Sequence, residues 1–145
     1  ELEHPSSSPE KFVGGDGKVT EVPQLDNQGV TGLYRSSEGL EGDDVWAKRA
    51  NWVKLSGTIG AEPISLVMID HPSNPGYPTY WHARGYGLFA ANPFGQKIFS
   101  GGAEELNFQL PAGESVTFRH RVLIDSGRDL NDEAINRVFQ EFSAT

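Results

Sequence analysis

Cysteine is missing from this chain of 145 residues, which excludes disulfides, thiolate metal ligands and a cysteine nucleophile. Its absence leaves the redox compartment open. No apolar run approaches the roughly 20 residues that a membrane-spanning helix needs, so membrane insertion is not expected. Positive charge is scarce: 12 Lys and Arg stand against 20 Asp and Glu, a formal net charge of −8. Such a surface repels phosphate backbones and anionic lipid, which argues against nucleic acid as a partner. Only 4 histidines occur, with no His-x-His or His-x3-His spacing to seed a metal site. No metal and no cofactor is expected. A Gly-x-Ser-x-Gly elbow is missing too, and Gly14–Gly17 lacks the strand–helix setting of a phosphate loop.

Glycine, by contrast, is abundant at 17 residues, and 37% of the chain is apolar. That balance describes one globular domain rich in turns. Residues 1–13 are mostly polar and open with two prolines and a Ser triplet, so they read as a linker. A single β-sandwich domain is expected over residues 14–145. Short strands are predicted at Val19–Val22, Val30–Arg35, Ile64–Ile69, Thr79–Arg84, Tyr86–Ala91 and Glu105–Leu110, with one or two more in Val45–Leu55. Ile64–Ile69 is apolar at nearly every position, as a strand buried on both faces would be.

Ser115–Asp125 alternates most cleanly. Val116, Phe118, His120, Val122 and Ile124 share one face. His120 on that apolar face is expected to be a core histidine. Ile135, Val138, Phe139 and Phe142 fall at i, i+3, i+4 and i+7 after a cap-like Asp129–Asp132 stretch, which predicts a C-terminal helix. The expected fold class is therefore all-β, an antiparallel sandwich with one terminal α-helix.

The residues that could carry chemistry cluster between Asp70 and Gly95. His71 opens a loop with Asn74 and three prolines, Pro72, Pro75 and Pro78. A stiff loop loses little entropy when it presents side chains to a ligand. Alternation in the following strand puts Tyr80, His82, Arg84 and Tyr86 on one face and Trp81 on the other. Hydroxyl, imidazole and guanidinium donors flanked by flat rings suit a polyhydroxylated or carboxylated small molecule. His82 and His71 form the polar centre of this reading. Glu38, in the turn Arg35-Ser36-Ser37-Glu38-Gly39, is a candidate acid/base partner or an ordinary solvated turn residue. Arg84, Tyr80, Trp81, Tyr86 and Asn74 are the candidate binding residues.

Five ordered blocks carry a family resemblance: Arg35-Ser36-Ser37-Glu38-Gly39-Leu40; Val45-Trp46-Ala47-Lys48-Arg49-Ala50; Ile69-Asp70-His71-Pro72-Ser73-Asn74-Pro75; Pro78-Thr79-Tyr80-Trp81-His82-Ala83-Arg84; and Tyr86-Gly87-Leu88-Phe89-Ala90-Ala91-Asn92-Pro93-Phe94-Gly95. Together they resemble the bacterial PmoA-like family, of unknown function and labelled "methane oxygenase". The resemblance covers the C-terminal half of that family's length. It implies a β-sandwich of the galactose-mutarotase-like supersandwich kind, present here in part. It also implies a periplasmic or extracellular location and a sugar-like ligand, by association with polysaccharide-degrading bacteria.

Three functions follow as expectations. The first is a carbohydrate-binding or carbohydrate-processing protein, with proton transfer at a sugar carbon as the chemistry that His plus a carboxylate suits. The second is a non-catalytic module that docks on a partner chain, a missing half or another copy of itself. The third, a metal-dependent oxidoreductase, fits poorly with a chain that shows neither a copper motif nor a spanning segment.

Overall fold

A computed structural model of the chain describes residues 2, 5, 11–13, 15–21, 27–85 and 87–145. Two short strands, β1 (Lys11–Val13) and β2 (Val19–Glu21), pair as an antiparallel hairpin. The end of the polar segment 1–13 is thus strand, and Leu2 within it packs against the inner core. Apart from the exposed Pro5, the remaining linker positions lie outside the described residues, as does Val22, the last residue of the first predicted strand.

A four-stranded antiparallel sheet forms the centre. It contains β3 (Leu33–Ser36), β4 (Trp52–Ile59), β5 (Glu62–Asp70) and β8 (His120–Ser126), in the order β3-β4-β5-β8. A separate hairpin, β6 (Trp81–Arg84) with β7 (Leu88–Ala91), is joined to β8 through a one-turn helix α1 (Gln96–Phe99) and a long irregular segment. The longer helix α2 (Asp132–Ser143) closes the chain. This mostly β, sandwich-like arrangement agrees with the expected class, and α1 is an addition to the single predicted helix.

Each face of the sheet has its own cover. On one face, Trp52, Val67 and Ile69 meet Leu130, Ile135 and Phe142, so α2 buries the apolar stripe that its 3.6-residue period predicts. Asn131 caps that helix by accepting from the Ala134 amide at 2.9 Å, and Asp132 and Glu133 occupy its positive end. On the opposite face, Tyr34, Val53 and Leu55 pack against Val45, Trp81 and Ala83. The Tyr34 hydroxyl donates toward both Leu88 O (3.0 Å) and Arg84 O (3.3 Å), tying the hairpin to the sheet.

Several sequence expectations are corrected. Val45–Leu55 is not strand throughout: Val45 ends a 3-10 turn, Gly42–Val45, and the ladder begins only at Trp52. Ile64–Ile69 is fully buried on one face only, because the β6–β7 hairpin leaves the β5–β8 side of the other face uncovered. There, Val122 and Ile124 are 53% and 76% exposed, so the apolar face of the best-alternating segment points outward within β8, while Val116 and Phe118 before it are half-buried.

No strand forms over residues 105–119 either. Asn107 adopts a left-handed φ of 47°, which breaks the extended course. Farther along, the Asn74 side chain bonds the backbone of Arg119, accepting from its N–H (2.7 Å) and donating to its C=O (2.6 Å). That amide stands where a neighbouring strand would, and the ladder starts one residue later.

Candidate functional site

β6 alternates as its sequence predicts. Trp81 and Ala83 are fully buried toward the sheet, whereas His82 and Arg84 lie half-buried on the outer face. Tyr80, just before the strand, is buried, covered on that side by Arg49 and Phe99. Phe99 of α1 folds back onto the row, its ring 5.5 Å from His82, 5.8 Å from Tyr80 and 5.7 Å from Trp46. Gly95 makes this possible: a Cβ there would lie 2.5 Å from the Phe99 ring. Trp46 reaches the same surface from the loop before β4, and the Arg84 guanidinium stacks on its indole at 4.9 Å. Ala47 beside it takes a left-handed φ of 57° and donates to Trp81 O at 2.9 Å, clamping this loop to β6.

Arg49 and Glu104 frame the other end. The Arg49 guanidinium stands 4.5 Å over the Tyr80 ring, donates to Gly76 O at 3.0 Å and to Pro78 O, and pairs with Glu104. Glu104 also accepts from the Tyr80 hydroxyl at 3.2 Å. Its bond to Arg49 holds this carboxylate below the usual range, so it stays ionised and is not a proton donor near neutrality. Burial, and then the Arg84 charge, pushes the His82 imidazole below its ordinary value. His82 is therefore neutral at pH 7 and able to accept a proton.

His71 and Asn74 belong to a different place. His71 is buried, its ring edge-on to Phe142 of α2 at 4.8 Å, and its Nδ1 accepts from the Ser73 amide at 3.1 Å. Asn74 donates to the buried Asp70 at 2.7 Å. Asp70 also accepts from the Thr79 amide (2.9 Å) and faces His120 Nε2 at 3.4 Å. This network anchors the Pro-rich loop to β8. His71 packs on α2, across the sheet from the hairpin whose outer face carries His82, so His71 and His82 do not share one site.

Glu38 is exposed and accepts from Ser37 Oγ at 3.0 Å. Its charge acts on Tyr77, whose phenol is raised by burial and by Asp70 and Glu38. Trp81 is a core residue, its indole donating to Ala50 O at 2.9 Å. Tyr86 lies outside the described residues. Among those described, no three His, Cys, Asp or Glu side chains gather to hold a metal.

Sequence reasoning missed Trp46, Arg49, Phe99 and Glu104. Trp46 and Arg49 lie in a block that resembled a family motif, but nothing local says that they meet Tyr80 and Arg84. Phe99 and Glu104 carry no sequence signal, because their roles depend on how α1 and the segment after it fold back.

These features define a layered antiparallel β-protein with a cationic and aromatic face on its outer hairpin. The chain belongs to a family of unknown function, DUF6807, whose model matches residues 10–140. No curated protein and no solved structure matches it. No helix among the described residues is long and apolar enough to cross a membrane.

Proposed function

We propose that this chain is a carbohydrate-binding protein and that the outer face of β6 is its site. The observation that carries the reading is the grouping of Trp46, Phe99, His82 and Arg84 on one surface. Flat rings match the C–H faces of a sugar, while a guanidinium and a neutral imidazole match its hydroxyls or a carboxylate. The PmoA-like resemblance supports the same ligand class. The supersandwich architecture and a periplasmic or extracellular location belong to the same proposal.

Chemistry at this site is proton transfer at a sugar carbon. His82 is the general base that takes the proton from the carbon beside a uronic-acid carboxylate. Arg84 holds that carboxylate as it receives the electron pair, and departure of the oxygen on the next carbon, protonated from solvent, completes an elimination. Arg49 and Glu104 position Tyr80 and the Pro-rich loop; they do not touch the reacting atoms.

Isothermal titration against neutral and uronic-acid oligosaccharides tests the reading. His82→Ala and Arg84→Ala are each expected to weaken binding at least tenfold, about 1.4 kcal/mol. Unchanged affinity in both variants would remove the site from this face.

A further inference from the structure

The exposed side of β8 carries an inference independent of the sugar-site reading. We propose that β8 pairs antiparallel with β8 of a second copy, about a two-fold axis at Leu123, extending the sheet across the dimer.

β8 is the last strand in the order β3-β4-β5-β8, and its centre is the apolar run Val122-Leu123-Ile124. An edge strand of that character is a template for pairing unless prolines, bulges or inward-pointing charges block it. No such guard interrupts these residues. Val122 and Ile124 are 53% and 76% exposed on the face that the β6–β7 hairpin leaves open. Charges flank the run instead of interrupting it.

The choice of a second copy rests on the strand's own sequence. Read in both directions from Leu123, it is complementary to itself. A two-fold pairing sets Arg121 opposite the partner's Asp125, Val122 opposite the partner's Ile124, and Leu123 opposite the partner's Leu123. The Arg121–Asp125 ion pair and the Val122–Ile124 contact each form twice and the Leu123 pair once, on the axis, as an isologous interface requires. A register shifted by one residue removes the Arg121–Asp125 match and sets the apolar faces of the two strands on opposite sides. Arg121 at present stacks over Phe142 at 4.6 Å, and Asp125 is held by Arg128 at 2.9 Å. Both charges are therefore already oriented on the α2 side of the strand.

A groove of about 560 Å³ runs along this edge between β8 and α2, lined in part by Leu123, Asp125, Arg137, Val138 and Glu141. The dyad brings two such grooves together. Arg137, which pairs with Glu133 at 2.8 Å within α2, and Glu141 sit one helical turn apart with opposite charges, so the antiparallel arrangement offers each a further opposite charge across the axis.

Light scattering on the full chain reads the outcome. Wild type is expected at twice the chain mass of 15.9 kDa, whereas Ile124→Lys is expected to be monomeric with its circular dichroism unchanged, because Ile124 is solvent-exposed. Cysteine crosslinking fixes the register in a chain that has no cysteine of its own. Equimolar Val122→Cys and Ile124→Cys are expected to form a disulfide on mixing, and neither variant alone to do so, since like positions lie beyond disulfide reach in this register. A monomeric wild type at 100 μM (roughly the scale of a modest edge contact) overturns the proposal. So does a dimer that survives Ile124→Lys, or a crosslink in either single variant.

Discussion

Arg49 shows how one side chain serves both the fold and the candidate site. Its guanidinium spans two loop carbonyls, a carboxylate and the Tyr80 ring. Replacing it with Ala is expected to lower stability by about 2 kcal/mol, the scale of lost charge-assisted hydrogen bonds, as measured by urea unfolding. Lys is expected to recover only part of this, since an ammonium cannot reproduce the planar fork.

His82 yields a pH prediction. The fold favours its neutral ring, so just below pH 6.5 the unfolded chain binds more protons than the folded one. The stability tied to this group is full above the unfolded value and falls as pH drops toward the depressed folded value. His82→Gln is expected to flatten the pH dependence of the unfolding midpoint in that window. Gly95 is a third residue whose role is spatial. Gly95→Ala is expected to push the Phe99 ring off His82 and weaken sugar binding several-fold, with the fold retained, as titration and circular dichroism would show together. The Tyr80–His82–Arg84 row was legible because a strand repeats every two residues. Arg49 and Glu104 were not, because 55 residues separate them and no local period links the two.

Among the elements, α2 was the most legible. Its apolar stripe and its cap both lie within 12 residues of sequence, so local pattern suffices. Residues 105–119 were the least legible, since alternation reports an extended chain and not the existence of a partner strand. Here Asn74 takes the partner's place at Arg119 and also satisfies Asp70. Asn74→Ala is expected to cost about 2–3 kcal/mol, because it leaves a buried carboxylate oxygen with only His120 at 3.4 Å and strands two backbone groups. Amide exchange should speed up first at Arg119, whose N–H loses its acceptor.

The start of α2 is fastened differently. Arg35 bridges Asp132 and Glu41, and its hydrogen bond holds Asp132 below the usual carboxylate range. That contribution is present above the unfolded carboxylate value and is lost as pH falls through the depressed one, a window well below that of His82. The Asp132 side chain is 39% exposed, so solvent screening keeps the effect of Asp132→Asn below about 1 kcal/mol.

At the scale of the whole molecule, the chain is a sheet covered by a helix on one face and a hairpin on the other. This layering explains why one stretch of sequence, Asp70–Gly95, supplies two unrelated polar groups. The loop half of it, with Asp70, His71 and Asn74, is bound into β8 and the end of α2. The strand half turns His82 and Arg84 outward from the far layer, with Tyr80 buried beside them. Sequence proximity suggested a single centre; a fold in which the chain crosses from one layer to another between them separates the two.

The central claim is that the outer face of β6 takes up a carbohydrate, and the three tryptophans make it directly testable. Trp52 donates its indole proton to Asn136 at 2.8 Å and Trp81 donates to Ala50 O, both inside the cores. Trp46 alone lies on the candidate site, 36% exposed under Arg84. A nitrogen–proton correlation spectrum resolves the three indole signals, and titration with neutral and uronic-acid oligosaccharides follows each of them. The Trp46 signal is expected to move saturably while those of Trp52 and Trp81 stay in place. Saturable shifts confined to the α2–β8 groove, or no shift at any sugar concentration, would contradict the claim.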